Sequence, residues 1–108
     1  MEDNIQKLYE IAKVPRIYSE FNNGRETVVE NVFSPYRQLE LVKFLGKRQD
    51  FGLSCFNSVW SAETDFHWEC YVHDCQAKSF EQALAGLVVK IWKIFTKDEK
   101  QEIKRILQ

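Results

Sequence analysis

Two aromatic-rich alternating segments, Phe51–Trp60 and Phe66–Cys75, run directly into an amphipathic helix that opens at Ser79. A period of two followed by a period of 3.6 is the pattern of a β-hairpin feeding a helix. Such a unit confines a chain of 108 residues to one small α+β domain, 1–108, and locates most of its core. In the first segment Phe51, Leu53 and Cys55 share a face, with Val59 in phase. In the second, Phe66, Trp68, Cys70 and Val72 do. A connection centred on Ala62-Glu63 would set Cys55 opposite Cys70, Leu53 opposite Val72 and Val59 opposite Phe66, and a one-residue slip would turn these side chains to water.

The remaining elements follow from periodicity and punctuation. Ile5, Leu8, Tyr9 and Ala12 predict a helix over Asn4 to Lys13, capped by Asp3 or Asn4 and stopped by Pro15. Residues 16–31 read as an extended or poorly ordered arm. Asn22-Asn23-Gly24 is a turn signal, and Glu26–Glu30 suits a short edge strand. Ser34 as N-cap, Pro35 at the first position and Gly46 past the end bound a second helix, with Tyr36, Leu39, Val42 and Leu45 as its stripe and Leu41 broadening it. Phe44 falls off that stripe. Ser79 with Gln82, and Thr96 with Glu99, are two capping boxes. They open a helix with the stripe Phe80, Leu84, Leu87, Val88, Ile91 and Phe95, and a last helix through Leu107 with Ile103, Ile106 and Leu107 on its apolar edge. The expected fold is an antiparallel sheet of two or three strands with helices packed on it.

Charge narrows the function classes. Residues 1–50 hold eight basic and eight acidic side chains and residues 51–108 hold seven and eight, so no basic half is available to track phosphates. The run Lys97–Arg105 mixes signs and reads as a solvated helix face. Met1-Glu2-Asp3-Asn4 is acidic with no apolar stretch behind it, and no run approaches the ~18 apolar residues of a membrane span. With three cysteines this suggests reduced thiols in a cytoplasm and no membrane partner.

Several constellations could carry chemistry. His67, Glu69, Tyr71, His73 and Cys75 alternate along one strand face, read as the outward one. His67 and His73 lie about 20 Å apart on an extended strand and cannot share a metal. His67 with Glu69, or His73 with Cys75, supplies two ligands where zinc takes three or four. No metal and no cofactor is expected. A cross-strand Cys55–Cys70 disulfide conflicts with a reducing compartment. No nucleophile elbow and no glycine-rich phosphate loop is present, and His73 with Cys75 lacks a third group to orient it. The enzymatic alternative is therefore a small metal- or thiol-dependent enzyme on His73 and Cys75. A weaker one is nucleic-acid binding through Lys90, Lys93 and Lys97.

The helix from Ser79 carries one further signal. Ala85, Val89 and Trp92 flank its core stripe, so its apolar arc exceeds the roughly 100° that a surface helix needs. Either the last helix covers Trp92 with Ile103 and Ile106, or the flank, extended by Trp60, is a protein interface for a second copy or another protein.

An amphipathic helix, the aromatic hairpin Phe51–Trp60 and Phe66–Val72, then Ser79, Glu81, Ala83 and Leu84 in an S-x-E-x-A-L pattern resembles the small phage and prophage proteins of the phage ABA sandwich domain family. The resemblance covers roughly residues 34–95. It implies a layered α/β/α arrangement, an origin in a mobile element and no catalytic residues. The expectation is a non-enzymatic, phage- or mobile-element-derived accessory protein that acts through protein–protein contacts.

Overall fold

The computed structural model describes residues 3–48, 50–66 and 71–108. The chain runs α1 (Asn4–Ala12), β1 (Ile17–Asn22), β2 (Arg25–Glu30), α2 (Pro35–Arg48), β3 (Asp50–Phe56), β4 (Val59–Phe66), β5 (Tyr71–Ala77), α3 (Phe80–Lys90), a 3₁₀ turn (Trp92–Ile94) and α4 (Lys97–Leu107). Strands β3-β4-β5 form one antiparallel sheet, and β1-β2 form a separate two-stranded ribbon. This is a small α+β fold.

The central hairpin differs from its expected register. Its turn is Asn57-Ser58, and β3 pairs with β4 as Cys55↔Trp60, Leu53↔Ala62 and Phe51↔Thr64. Both turn residues take positive φ, 50° and 64°, the conformation of a two-residue type I′ turn. A two-residue turn exchanges parity: odd positions face the helices on β3 and even ones on β4. Trp60, Ala62 and Thr64 therefore turn inward, while Val59 is exposed. Strand β5 pairs back on β4 as Ala62↔Cys75 and Trp60↔Ala77, which places Cys75 on the helix-facing side, opposite to the expected orientation. Cys70 lies outside the described residues.

The helices cover one face of this sheet. Its other face presents Gly52, Ser54, Glu63 and Gln76 to water. Helix α3 packs on the sheet and α1 packs on α3. Helix α3 is enclosed so fully that all of Ala83–Val88 is buried, as an apolar helix in an interior must be.

Close approach at Gly86 permits this enclosure. A Cβ there would lie 2.6 Å from Asn4 Nδ2 and closer still to Cys75 Sγ, so α1 and β5 both reach the α3 backbone. Ser79 caps α3 by accepting from the Gln82 N–H, but the reciprocal half of the box is not made. The Gln82 side chain instead accepts from the Asn4 N–H at 2.6 Å and donates to Asp3 Oδ1 at 3.2 Å, joining the starts of two helices. At α4 the capping box of Thr96 and Glu99 is complete.

Helix α2 is rotated relative to its expected stripe. Leu41, Phe44 and Leu45 are buried, whereas Tyr36 and Leu39 are exposed. Gln38 takes the inward position because its side-chain amide donates to the Phe33 carbonyl at 2.8 Å, which removes the cost of burying it. The helix also continues past Gly46 to Arg48. Gly46 has ordinary helical φ, so it acts neither as a cap nor as a point of close approach.

Candidate interaction surface

The flank singled out in sequence is interior. Ala85 is fully buried, Trp92 is 8% exposed, and Val89 and Trp60 are half-buried against the core. Helix α4 reaches Trp92, with the Lys100 ammonium 5.8 Å from the ring centroid, while Ile103 and Ile106 belong to the same core. Trp92 also meets Phe95 edge-on at 6.3 Å. Trp60 stands on β4, outside the turn, and its ring meets Phe80 edge-on at 5.5 Å. The wide arc is largely satisfied within the chain: Ala85 and Trp92 are buried, and Val89 and Trp60 keep only part of their surface open.

Of the chemical constellation, the structure describes the side chain of Cys75. Residues 67–70, which include His67 and Glu69, lie outside the described residues. His73 occupies the register position opposite Thr64. Cys75 is half-buried beside Asn4, whose side-chain amide lies 3.9 Å from Sγ. Among the described residues, no group of three His, Cys, Asp or Glu side chains could hold a metal, and no helix is long and apolar enough to cross a membrane. Of the basic edge, Lys90 donates to the Asp74 carbonyl at 2.9 Å and approaches its carboxylate at 3.9 Å.

Open apolar surface lies at Phe56 and Val59 beside the β3–β4 turn and, more extensively, in the arm. Asn23 and Gly24, with φ of 54° and 76°, form a second type I′ turn, and six residues pair on each side of it. Opposed residues share a face, so Ile17, Ser19 and Phe21 lie with Glu30, Val28 and Glu26. On that face Ile17 and Val28 are each 67% exposed and Phe21 is 77% exposed. Tyr18 and Val29, opposite each other on the other face, are half-buried. The strands of this ribbon pair only with each other among the described residues. The radius of gyration, 15.2 Å, exceeds the roughly 13 Å of a compact chain this long.

The ribbon is held firmly at its base. Asn31, itself buried, donates its side-chain amide to the Pro15 carbonyl and its backbone N–H to the Arg16 carbonyl, both at 2.6 Å. The Arg16 guanidinium stands 5.0 Å over the Tyr9 ring, which packs edge-on against Phe33 at 6.4 Å. Burial pushes the Tyr9 phenol above its usual pKa, with Arg37 and Arg16 opposing the shift.

Beside the base, a groove of about 460 Å³ opens between the β2–α2 connection, α2 and the end of α4. Glu30, Val32, Tyr36, Arg37 and Arg105 line it. Arg37 ties its two sides together, donating to the Val32 carbonyl and, at 2.7 Å, to the Gln108 carbonyl. Glu30 belongs both to the apolar ribbon face, opposite Ile17, and to the groove wall.

Period-2 spacing of Ile17, Ser19 and Phe21 before Asn-Gly was the sequence signal for this surface. It was obscured because the strand is short and its polar partners Glu26 and Glu30 mask the alternation on β2. Compared with protein-family models, with curated proteins and with solved structures, the chain matches none of them.

Proposed function

We propose that this chain is a non-enzymatic accessory protein that works through protein–protein contacts, with the apolar face of the β1–β2 ribbon as its contact surface. The observation that carries the reading is the exposure of Ile17, Phe21 and Val28 on one face of a ribbon that, among the described residues, no third strand joins. An isolated two-stranded hairpin is marginal in water. This one is clamped at its base, so it is presented as a shaped arm, with a large apolar residue near its tip. An apolar cluster of this kind, flanked by charged residues, is the usual form of a protein contact. An origin in a phage or other mobile element accords with the resemblance in residues 34–95 and forms part of the same reading.

The test compares what co-purifies from cells with the wild-type chain and with a Phe21→Ser/Val28→Ser variant, scoring a second, differently tagged copy of the chain among the partners. Because both side chains are exposed, the variant keeps its fold, which circular dichroism verifies. Loss of a partner specifically in the variant supports the reading. Identical partner sets for the two proteins overturn it.

A further inference from the structure

The partner can be specified further, on the premise that the ribbon is a contact surface. We propose that its occupant is a second copy of this chain, the apolar face of each ribbon lying across the groove of the other.

Continuity is the first argument. Glu30 joins the ribbon face to the groove wall, so Phe21, Val28 and Ile17 continue into Val32 and Tyr36, and one helical turn beyond Tyr36 lies Leu39. Val32 is 51% exposed, Tyr36 72% and Leu39 51%. A two-fold axis passing near Glu30 would superpose the ribbon half of this strip on the groove half of its mate. That is the self-complementarity an isologous dimer requires.

Area is the second. At these exposures the six apolar residues present on the order of 800 Å² per copy, which is what one partner contributes to an interface of standard size. Neither half of the strip reaches that area alone. The ribbon face and the groove would have to be covered together.

Charge is the third. The ribbon half carries Glu26 and Glu30 beside its apolar residues. The groove half carries Arg37 and Arg105; of its carboxylates, Glu40 is approached by Lys43 at 3.7 Å and Glu30 is the one shared with the ribbon face. Arg105 already pairs with Glu102 on the surface, so a carboxylate brought over the groove would meet chiefly the Arg37 guanidinium, held in place by the Val32 and Gln108 carbonyls. Opposite charge at the two ends favours the reciprocal, head-to-tail overlay and disfavours ribbon face on ribbon face, where the glutamates would meet.

The experiment is light-scattering chromatography over a range of protein concentrations, with two variants and their mixture. Wild type should rise from 12.8 kDa towards twice that value. A ribbon variant, Phe21→Ser/Val28→Ser, and a groove variant, Tyr36→Ser/Leu39→Ser, should each weaken the dimer at least tenfold while remaining folded. Mixed together they should associate more tightly than either variant alone, though less tightly than wild type, because one ribbon–groove contact is then intact while the other carries both changes. A wild-type chain that stays monomeric up to millimolar concentration overturns the proposal, as does a dimer whose two variants do not complement each other. A monomer that still loses a foreign partner with the ribbon variant ends the dimer alone. A monomer whose partner set is unchanged by that variant ends the contact-surface reading as well.

Discussion

The backbone N–H of Asn4 donates to the Gln82 side-chain carbonyl at 2.6 Å, and the Asn4 side-chain amide donates to the Gln82 backbone carbonyl at 3.0 Å. Two residues 78 positions apart thereby satisfy a helix-start donor and fix the rotation of α1 on α3. The contact is possible because Gly86, one turn further along α3, leaves room for Asn4.

Gly86→Ala should therefore lower stability by roughly 1–3 kcal/mol, although alanine is the better helix former by about 1 kcal/mol in an open helix. Removing the obstructing atoms in a Gly86→Ala/Asn4→Ala/Cys75→Ala background should recover part of that loss. Urea midpoints of the set decide it. An unchanged midpoint for Gly86→Ala would show that the helices do not approach as closely as described.

Asp3 makes the same junction sensitive to acid. The Gln6 N–H, and then the Gln82 side chain, hold its carboxyl below the usual range. A carboxyl lowered on folding contributes stability above its unfolded value of 3.8, and that contribution is lost as pH falls through the lower, folded value. Asp3→Asn should flatten this part of the stability–pH curve while keeping the cap. Asp3→Ala should cost about 1 kcal/mol at neutral pH.

Tyr9 behaves in the opposite sense. Its hydroxyl is buried with the Arg37 guanidinium nearby but, among the described residues, no partner in hydrogen-bond geometry, and burial raises its pKa above 10.0 against the opposing pull of Arg37. An acid raised on folding keeps its full contribution below the unfolded pKa and loses it as pH climbs through the folded one. Ultraviolet titration should find one phenol ionising later than the rest. Tyr9→Phe should be neutral or stabilising by up to about 1 kcal/mol, since no bond is lost and an unsatisfied hydroxyl is removed.

Ser58 occupies the left-handed region at φ 64° in the β3–β4 turn. Ser58→Gly creates the Asn-Gly pair that a type I′ turn prefers, and should raise stability by about 0.5–1 kcal/mol. A fall in Tm would place the turn elsewhere, as the alternation of Phe51, Leu53 and Cys55 with Val59 first suggests.

Trp92→Ala separates a core role from a surface one. With its ring buried against Phe95 and beneath Lys100, truncation should cost roughly 3–5 kcal/mol. The loss would appear as reduced Tm at every protein concentration. A stable Trp92→Ala chain with altered self-association would return this residue to the surface.

Local chemistry determined most of the elements. Thr96 and Glu99 mark the start of α4, Pro15 bounds α1, and Asn23-Gly24 turns the ribbon, because caps, prolines and I′ turns act over four residues or fewer. Periodicity likewise identified Leu8, Leu84 and Ile103 as core. Tertiary structure decided where a local pattern had more than one solution. Gln38 displaced Leu39 from the inward face of α2 because the Phe33 carbonyl, five residues back, was there to satisfy it. Gln82 left its own helix cap for Asn4. Asn57-Ser58 took the turn, which set Trp60, Ala62 and Thr64 inward on β4 and, through their pairing, Cys75 and Ala77 inward on β5. The apolar arc through Ala85 and Trp92 stated only that it must be buried, and α1, β5 and α4 supplied the cover from within the chain. That left Ile17, Phe21 and Val28 outside, since a two-stranded ribbon has two faces and the folded body shields only one.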